Sequence, residues 1–171
     1  MTLVFSSRFL APLVASAALA AALPATALQP ATGKVILTVS GRVAEKNTAD
    51  AAVFDLAMLE MLPQQTFSTK TPWDKQAIKF TGPLLRDVLA AAKASGTTVN
   101  AMALNDYKTA IPLQDAQQYD MIVAHRMNDK PIPVRTKGPL FIVYPFDSKA
   151  ELQSTRFYGR SAWQLKSLTV E

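Results

Sequence analysis

The sequence predicts an α+β domain built on a mixed β-sheet with a few short helices. Segments of strand length, alternating or fully apolar, recur along the chain. Stretches with helical apolar spacing fall between them rather than in a separate block. Turn-forming pairs such as Asn105-Asp106 and Asn128-Asp129 separate neighbouring strand segments.

Ahead of the domain, Arg8 precedes an uncharged apolar run from Phe9 to Leu23, then Pro24 and the small-x-small triplet Ala25-Thr26-Ala27. The run is too short to span a bilayer, and its layout is that of a cleavable secretory signal over residues 1–27. No cysteine follows it, which removes lipid attachment of the bacterial lipoprotein kind. The mature protein is therefore expected free in the periplasm, without membrane insertion after cleavage near Ala27. Residues 28–171 have the length of one domain with one core.

Within that domain, Gln29 to Lys34 reads as a lead-in and Val35 to Val39 as the first strand. Asp50 is placed to cap a helix whose apolar positions run from Phe54 to Leu62, stopped before Pro63. Thr66 to Thr69 and Gln76 to Phe80 read as extended. Gly82 and Pro83 are read as opening a second helix, with Leu84, Leu85, Val88, Leu89 and Ala92 on its apolar face and Ser95-Gly96 ending it. Val99 to Leu104 and Tyr107 to Ile111 flank the first turn pair as a hairpin. After at most a short helical turn over Asp115 to Tyr119, Met121 to Ala124 and Pro131 to Val134 flank the second pair. Leu140 to Tyr144 is a fully apolar strand, and Ala162 to Val170 closes the domain after a long loop. There is no internal repeat.

Composition removes several function classes. With no cysteine there are no disulfides, thiolate metal sites or cysteine nucleophiles. The formal net charge of +5 is scattered rather than gathered in a stripe, so no nucleic-acid partner is expected. No HExxH, EF-hand or P-loop spacing occurs, and the lone histidine, His125, reads as a hydrogen-bonded structural residue. A set of aromatic and arginine residues in loops carries more information: Trp73, Tyr107, Tyr144, Arg156, Tyr158, Arg160 and Trp163. Aromatic faces stack on flat heterocycles and arginine forks donate to carbonyls and ring nitrogens. A carboxylate such as Asp106 accepts paired N–H donors. The same residue types also serve as packing and solvated charge, and both readings stand at this level.

Six segments carry a resemblance to a known family: TPW at Thr71 to Trp73, FTGPLLRDVL at Phe80 to Leu89, LNDY at Leu104 to Tyr107, IPLQDAQQYD at Ile111 to Asp120, KGPLFIVYPFD at Lys137 to Asp147, and WQLKSLTV at Trp163 to Val170. In this order and spacing the chain resembles small exported members of the sulfite-oxidase-like, molybdopterin-binding fold. Catalytic members hold molybdenum through a cysteine thiolate, which is missing here, and positions near the cofactor phosphate appear as Lys137 and Phe141. Small stand-alone chains of this kind resemble periplasmic pterin-binding regulators of the PruR kind. That resemblance implies a reduced, unconjugated pterin as ligand and the periplasmic region of an inner-membrane receptor controlling cyclic di-GMP as partner. It implies no catalytic residue and no metal. On this reading Trp73 and Trp163 provide stacking or lid surface, Asp106 pairs with the 2-amino and N3 edge, Arg156 or Arg160 faces the carbonyl side, Tyr107 and Tyr144 close the slot or orient the carboxylate, and Asn105 completes the set. The alternative is a molybdopterin-dependent oxidoreductase or a cofactor-carrying subunit.

Overall fold

The computed structural model describes residues 28–171, so the expected export segment, residues 1–27, lies outside the described residues. No described helix is long and apolar enough to cross a membrane.

The chain opens with β1 (Leu37–Gly41) and β2 (Ala52–Phe54), which pair antiparallel. The expected helix from Asp50 to Leu62 is thus corrected. Its first part is a strand whose apolar residues fit an alternating as well as a helical period, and pairing with β1 decides between them. The cap is Asp55, not Asp50. The Asp55 carboxylate accepts the Met58 N–H at 2.9 Å at the start of α1 (Leu56–Met61), and with its other oxygen the Thr32 and Gly33 N–H groups at 2.9 and 2.7 Å. One buried side chain therefore caps a helix and ties down the incoming chain.

β3 (Gln64–Thr69) and β4 (Ile78–Pro83) form a long antiparallel pair. Gly82 and Pro83 end β4 rather than opening a helix. A side chain at Gly82 would put its Cβ 2.1 Å from the Val123 carbonyl oxygen, so glycine is required for the close approach of the neighbouring strand. Only then comes α2 (Leu85–Ala91), with Leu85, Val88 and Leu89 buried. It ends at Ala92 and Lys93, the latter at φ 46°, ahead of the expected Ser95-Gly96 stop.

The expected hairpin is present as β5 (Thr98–Ala103) and β6 (Lys108–Pro112), with Asp106 at φ 65° in its turn. α3 (Leu113–Gln118) follows. The second turn pair does not join two long strands. Asn128 and Asp129, both at positive φ, connect the short β8 (Arg126–Met127) and β9 (Lys130–Pro131), while the preceding β7 (Ile122–Ala124) pairs with β10 (Phe141–Val143). The expected long loop holds two 3-10 turns, Phe146–Ser148 and Ala150–Leu152, and a helix, α4 (Thr155–Arg160). The final strand is β11 (Leu165–Val170).

Two larger sheets result, ordered β2-β1-β11-β5-β6 and β3-β4-β8-β9, with the β10-β7 pair beside them. Isolated bridges from Leu84 to Ile122 and from Phe141 to Trp163 link that pair to both sides. The core between them is one cluster in which Phe54, Phe80, Phe141, Tyr144 and Phe146 are the largest fully buried side chains. This is the α+β architecture expected from the sequence, a mixed β-sheet core with a few short helices.

The Asp55 carboxyl is held below its ordinary value of 3.8, chiefly by the Met58 N–H and then by Gly33, against the opposing effect of burial. A lowered carboxyl contributes stability that is present above its unfolded pKa and lost as pH falls through the folded value. Asp55→Ala should therefore lower the thermal midpoint at neutral pH, with its difference from the wild type shrinking in strong acid, as followed by circular dichroism.

Candidate functional site

Three chain segments meet around a cavity of about 500 Å³. The first is the turn after β3, which supplies Pro72 and Trp73; the second is the β5–β6 turn, with Asn105 and Tyr107. The third is α4 and the strand entry after it, with Thr155, Tyr158, Gly159, Ser161 and Trp163. The walls are aromatic: the Trp73 ring lies 5.1 Å from Trp163 and 6.2 Å from Tyr158, in both cases tilted or edge-on. Trp73 and Tyr107 remain 37% and 41% exposed, which leaves apolar surface at the cavity.

Each wall is fixed by polar groups behind it. Thr71 receives the Trp73 N–H on its hydroxyl at 3.2 Å and donates that hydroxyl to Asp74 at 2.7 Å, which folds the tryptophan turn on itself. Lys137 then bonds the same Asp74 oxygen, with its ammonium 5.9 Å from the Trp163 ring centre. Burial pushes the Asp74 carboxyl up, but the bonds from Lys137 and Thr71 and the lysine charge outweigh it and hold the group below its ordinary value. Gln164, at φ 51°, fastens Trp163 on the other side. Its N–H donates to Lys137 O, its carbonyl accepts from Leu104 N–H, and its side-chain amide donates to Val134 O.

The hairpin and helix walls are joined directly. The Tyr107 hydroxyl donates to the Gly159 carbonyl at 2.6 Å, and Asn105 accepts the Tyr107 N–H. Behind α4, Phe157 packs edge-on against Tyr119 and Tyr144, while Arg160 donates to Asp115 at 2.7 Å. Asp115 also accepts the Tyr144 hydroxyl at 2.8 Å. Burial first, then the bond and charge of Asp115, push the Tyr144 hydroxyl far up, so it stays protonated.

Of the residues proposed from the sequence, Trp73, Asn105, Tyr107 and Trp163 come together on the cavity. Asp106 occupies the same turn but is exposed and is not among the lining residues. Arg156 is exposed on α4, a helix rather than a loop, and Arg160 faces Asp115 behind that helix. Tyr144 leaves the set: it is fully buried and spends its hydroxyl on Asp115, so it packs the core instead of closing a slot. Tyr158 belonged to the aromatic set without a role and proves to be a wall. Thr155, Gly159 and Ser161 were not legible, because a six-residue helix with a glycine in it carries no apolar period. His125 is buried and hydrogen-bonded to Gln64 at 2.9 Å, with burial lowering its pKa, consistent with a structural role.

The donor set suits part of the family's cofactor. Aromatic walls with neutral amide, hydroxyl and backbone groups fit a flat pterin ring. No lysine or arginine lines this cavity to meet a phosphate, and the described residues contain no group of three or more His, Cys, Asp or Glu suited to a metal. Lys70 stands in a smaller adjoining recess of about 210 Å³, together with Asp147.

Three substitutions separate wall from core. Lys137→Met should release the Asp74 turn and shift the tryptophan emission to longer wavelength, and Asp74→Asn should shift it the same way. Tyr144→Phe should cost about 1.5–3 kcal/mol, as for a bond to a charged acceptor, read by urea unfolding, and leave the emission of the folded protein unchanged.

Comparison with known proteins agrees with this fold. Residues 29–147 match the oxidoreductase molybdopterin binding domain. Among solved structures, the sulfane dehydrogenase SoxCD from Paracoccus pantotrophus superposes with a TM-score of 0.59 at 14% identity, over 78% of this chain and 37% of that one. This chain thus spans well under half the length of that neighbour. A search of curated proteins finds no match. The family match covers more than half of the sequence and runs from the lead-in through β10, so the chain belongs to the oxidoreductase molybdopterin binding domain family.

Proposed function

We propose that this protein binds a reduced, unconjugated pterin in the aromatic cavity and signals its presence from the periplasm to an inner-membrane receptor controlling cyclic di-GMP. The observation that carries the ligand assignment is the wall of Trp73, Trp163 and Tyr158 with uncharged polar groups at its margin. Such a wall accepts a flat heterocycle by stacking and edge contacts and offers it neutral hydrogen-bond partners. Family membership supports the same ring system, since molybdopterin is itself a pterin. The receptor and the cyclic di-GMP output rest on the resemblance to PruR-type regulators together with the export signal.

In this reading Asp106 swings from its exposed turn position to pair with the 2-amino and N3 edge of the ring, and Arg156 approaches the carbonyl side. No turnover is involved. Ligand controls the receptor only by binding the partner-competent state more tightly, with couplings of about 1–3 kcal/mol being typical.

The second reading is a molybdopterin-dependent oxidoreductase or a cofactor-carrying subunit, favoured by the family and by a structural neighbour that is a dehydrogenase. It must do without the thiolate ligand that a soft metal centre prefers.

Both tryptophans of the chain stand on this cavity, so fluorescence reads it directly. Titration with tetrahydropterins should quench emission saturably at micromolar ligand, and Trp163→Ala should weaken binding about tenfold or more, equivalent to about 1.4 kcal/mol, by calorimetry. Asp106→Ala should weaken it sharply, whereas unchanged affinity removes that residue from the site. Absence of saturable binding refutes the pterin assignment. Stoichiometric molybdenum in protein from molybdenum-replete cells transfers the case to the second reading.

A further inference from the structure

The two larger sheets have four outer edges, and three are blocked. At β2, the Asn47 side-chain amide occupies the edge as a strand would, donating to Val53 O at 2.9 Å and accepting from Val53 N–H at 2.7 Å. β6 begins with Lys108, ends with Pro112 and lies against α4. β9 is two residues long, Lys130 and Pro131. Charge, proline, brevity and cover are the usual protections of a sheet edge. β3 has none of them: Gln64–Thr69 is six residues of uncharged chain without proline, and its register with β4 is unbroken.

The ladder shows which groups of β3 are available. His125 N–H donates to Thr81 O and Asn128 N–H to Lys79 O, so Thr81 and Lys79 direct their backbone groups toward β8. Backbone groups alternate along a strand, which leaves Ile78, Phe80 and Gly82 bonded to β3 through Thr69, Phe67 and Gln65. Thr66 and Ser68 therefore point their N–H and C=O groups away from the sheet. The next residue in this phase, Lys70, also points outward, and its N–H is taken by Asp147 at 2.8 Å. A groove of about 330 Å³ adjoins the free stretch, between Phe67, Tyr119 and Pro145. Of the charged groups on it, Asp120 is neutralised by Arg86 at 2.8 Å. Lys149 lies 5.2 Å from the Tyr119 ring centre and has no ion-pair partner among the described residues.

We propose that β3 is a docking strand for an extended acidic segment of a partner protein, which pairs its main chain with Thr66 and Ser68, fills the groove with a side chain and places a carboxylate at Lys149. Main-chain bonds supply affinity in such strand addition, and the groove supplies selectivity. A second copy is the poorer occupant, since pairing two β3 edges brings two Lys149 groups and two sets of groove walls to one interface. The surface is independent of the aromatic cavity.

Proline at position 66 removes an outward N–H and no backbone bond of the β3–β4 ladder, at the cost of the exposed hydroxyl contact from Thr66 to Thr81 at 2.9 Å, so Thr66→Pro is the informative variant. Short random peptides displayed on phage are selected on the full protein, and the peptides recovered are synthesised. Selected peptides should be acidic and extended, lose about tenfold or more in affinity for Thr66→Pro and for Lys149→Glu, and slow amide exchange at Thr66 and Ser68 of the wild type. The exchange measurement needs no variant. Recovery of no binder, binding that leaves those two amides unprotected, or equal affinity for a folded Thr66→Pro protein overturns the proposal. So does a wild-type dimer in sedimentation that Thr66→Pro dissolves, which assigns the edge to a second copy.

Discussion

The parallel pairing of β1 with β11 is the constraint on which the rest of the structure hangs. Thr38 meets Ser167 and Gly41 meets Val170, so the last strand is inserted between the first and β5, at the centre of the five-stranded sheet. At its far end Gly41, at φ 83°, lets the backbones approach so closely that any Cβ there would lie 2.2 Å from Val170 O. No sub-segment can complete this sheet alone. The loop-closure entropy of nearly the whole domain is spent before the central ladder forms. The same insertion delivers Trp163 and Gln164 to their places, because the residues leading into β11 bond Lys137, Leu104 and Val134 on both sides.

Two ion pairs stand behind the cavity walls. Lys137 with Asp74 stabilises the tryptophan turn, and Arg160 with Asp115 stabilises α4. Both pairs are partly sheltered, and both satisfy further polar groups, Thr71 in one case and Tyr144 in the other. The wall surface itself is then free to be aromatic and neutral. Ions that would otherwise compete for a ligand are committed to holding the scaffold.

The fold was more legible in the sequence than the site. The β5–β6 hairpin announced itself through Asn105-Asp106, and β10 through an apolar run that is buried throughout. Two errors share one cause: around Phe54 and around Gly82-Pro83, local periodicity and helix-start residues were overridden by strand pairing contributed from elsewhere in the chain. The aromatic members of the site were visible as types, since Trp73, Tyr107, Tyr158 and Trp163 stand apart from the apolar patterns. What separated them from Tyr144 was burial, which no spacing encodes. Arg160 shows the same limit: its partner Asp115 lies 45 residues away and becomes a neighbour only in the folded chain.

The shortness of α4 gives the cavity a property beyond shape. Six residues make too few internal bonds to sustain a helix unaided, so its order is borrowed from Phe157 in the core, from Arg160 on Asp115 and from the Tyr107 hydroxyl on Gly159. Two of these attachments are inward, and the third crosses directly to the hairpin turn. Whatever fills the space beside Tyr158 becomes a fourth attachment, and its gain or loss is felt as a change in how firmly one wall of the protein is moored.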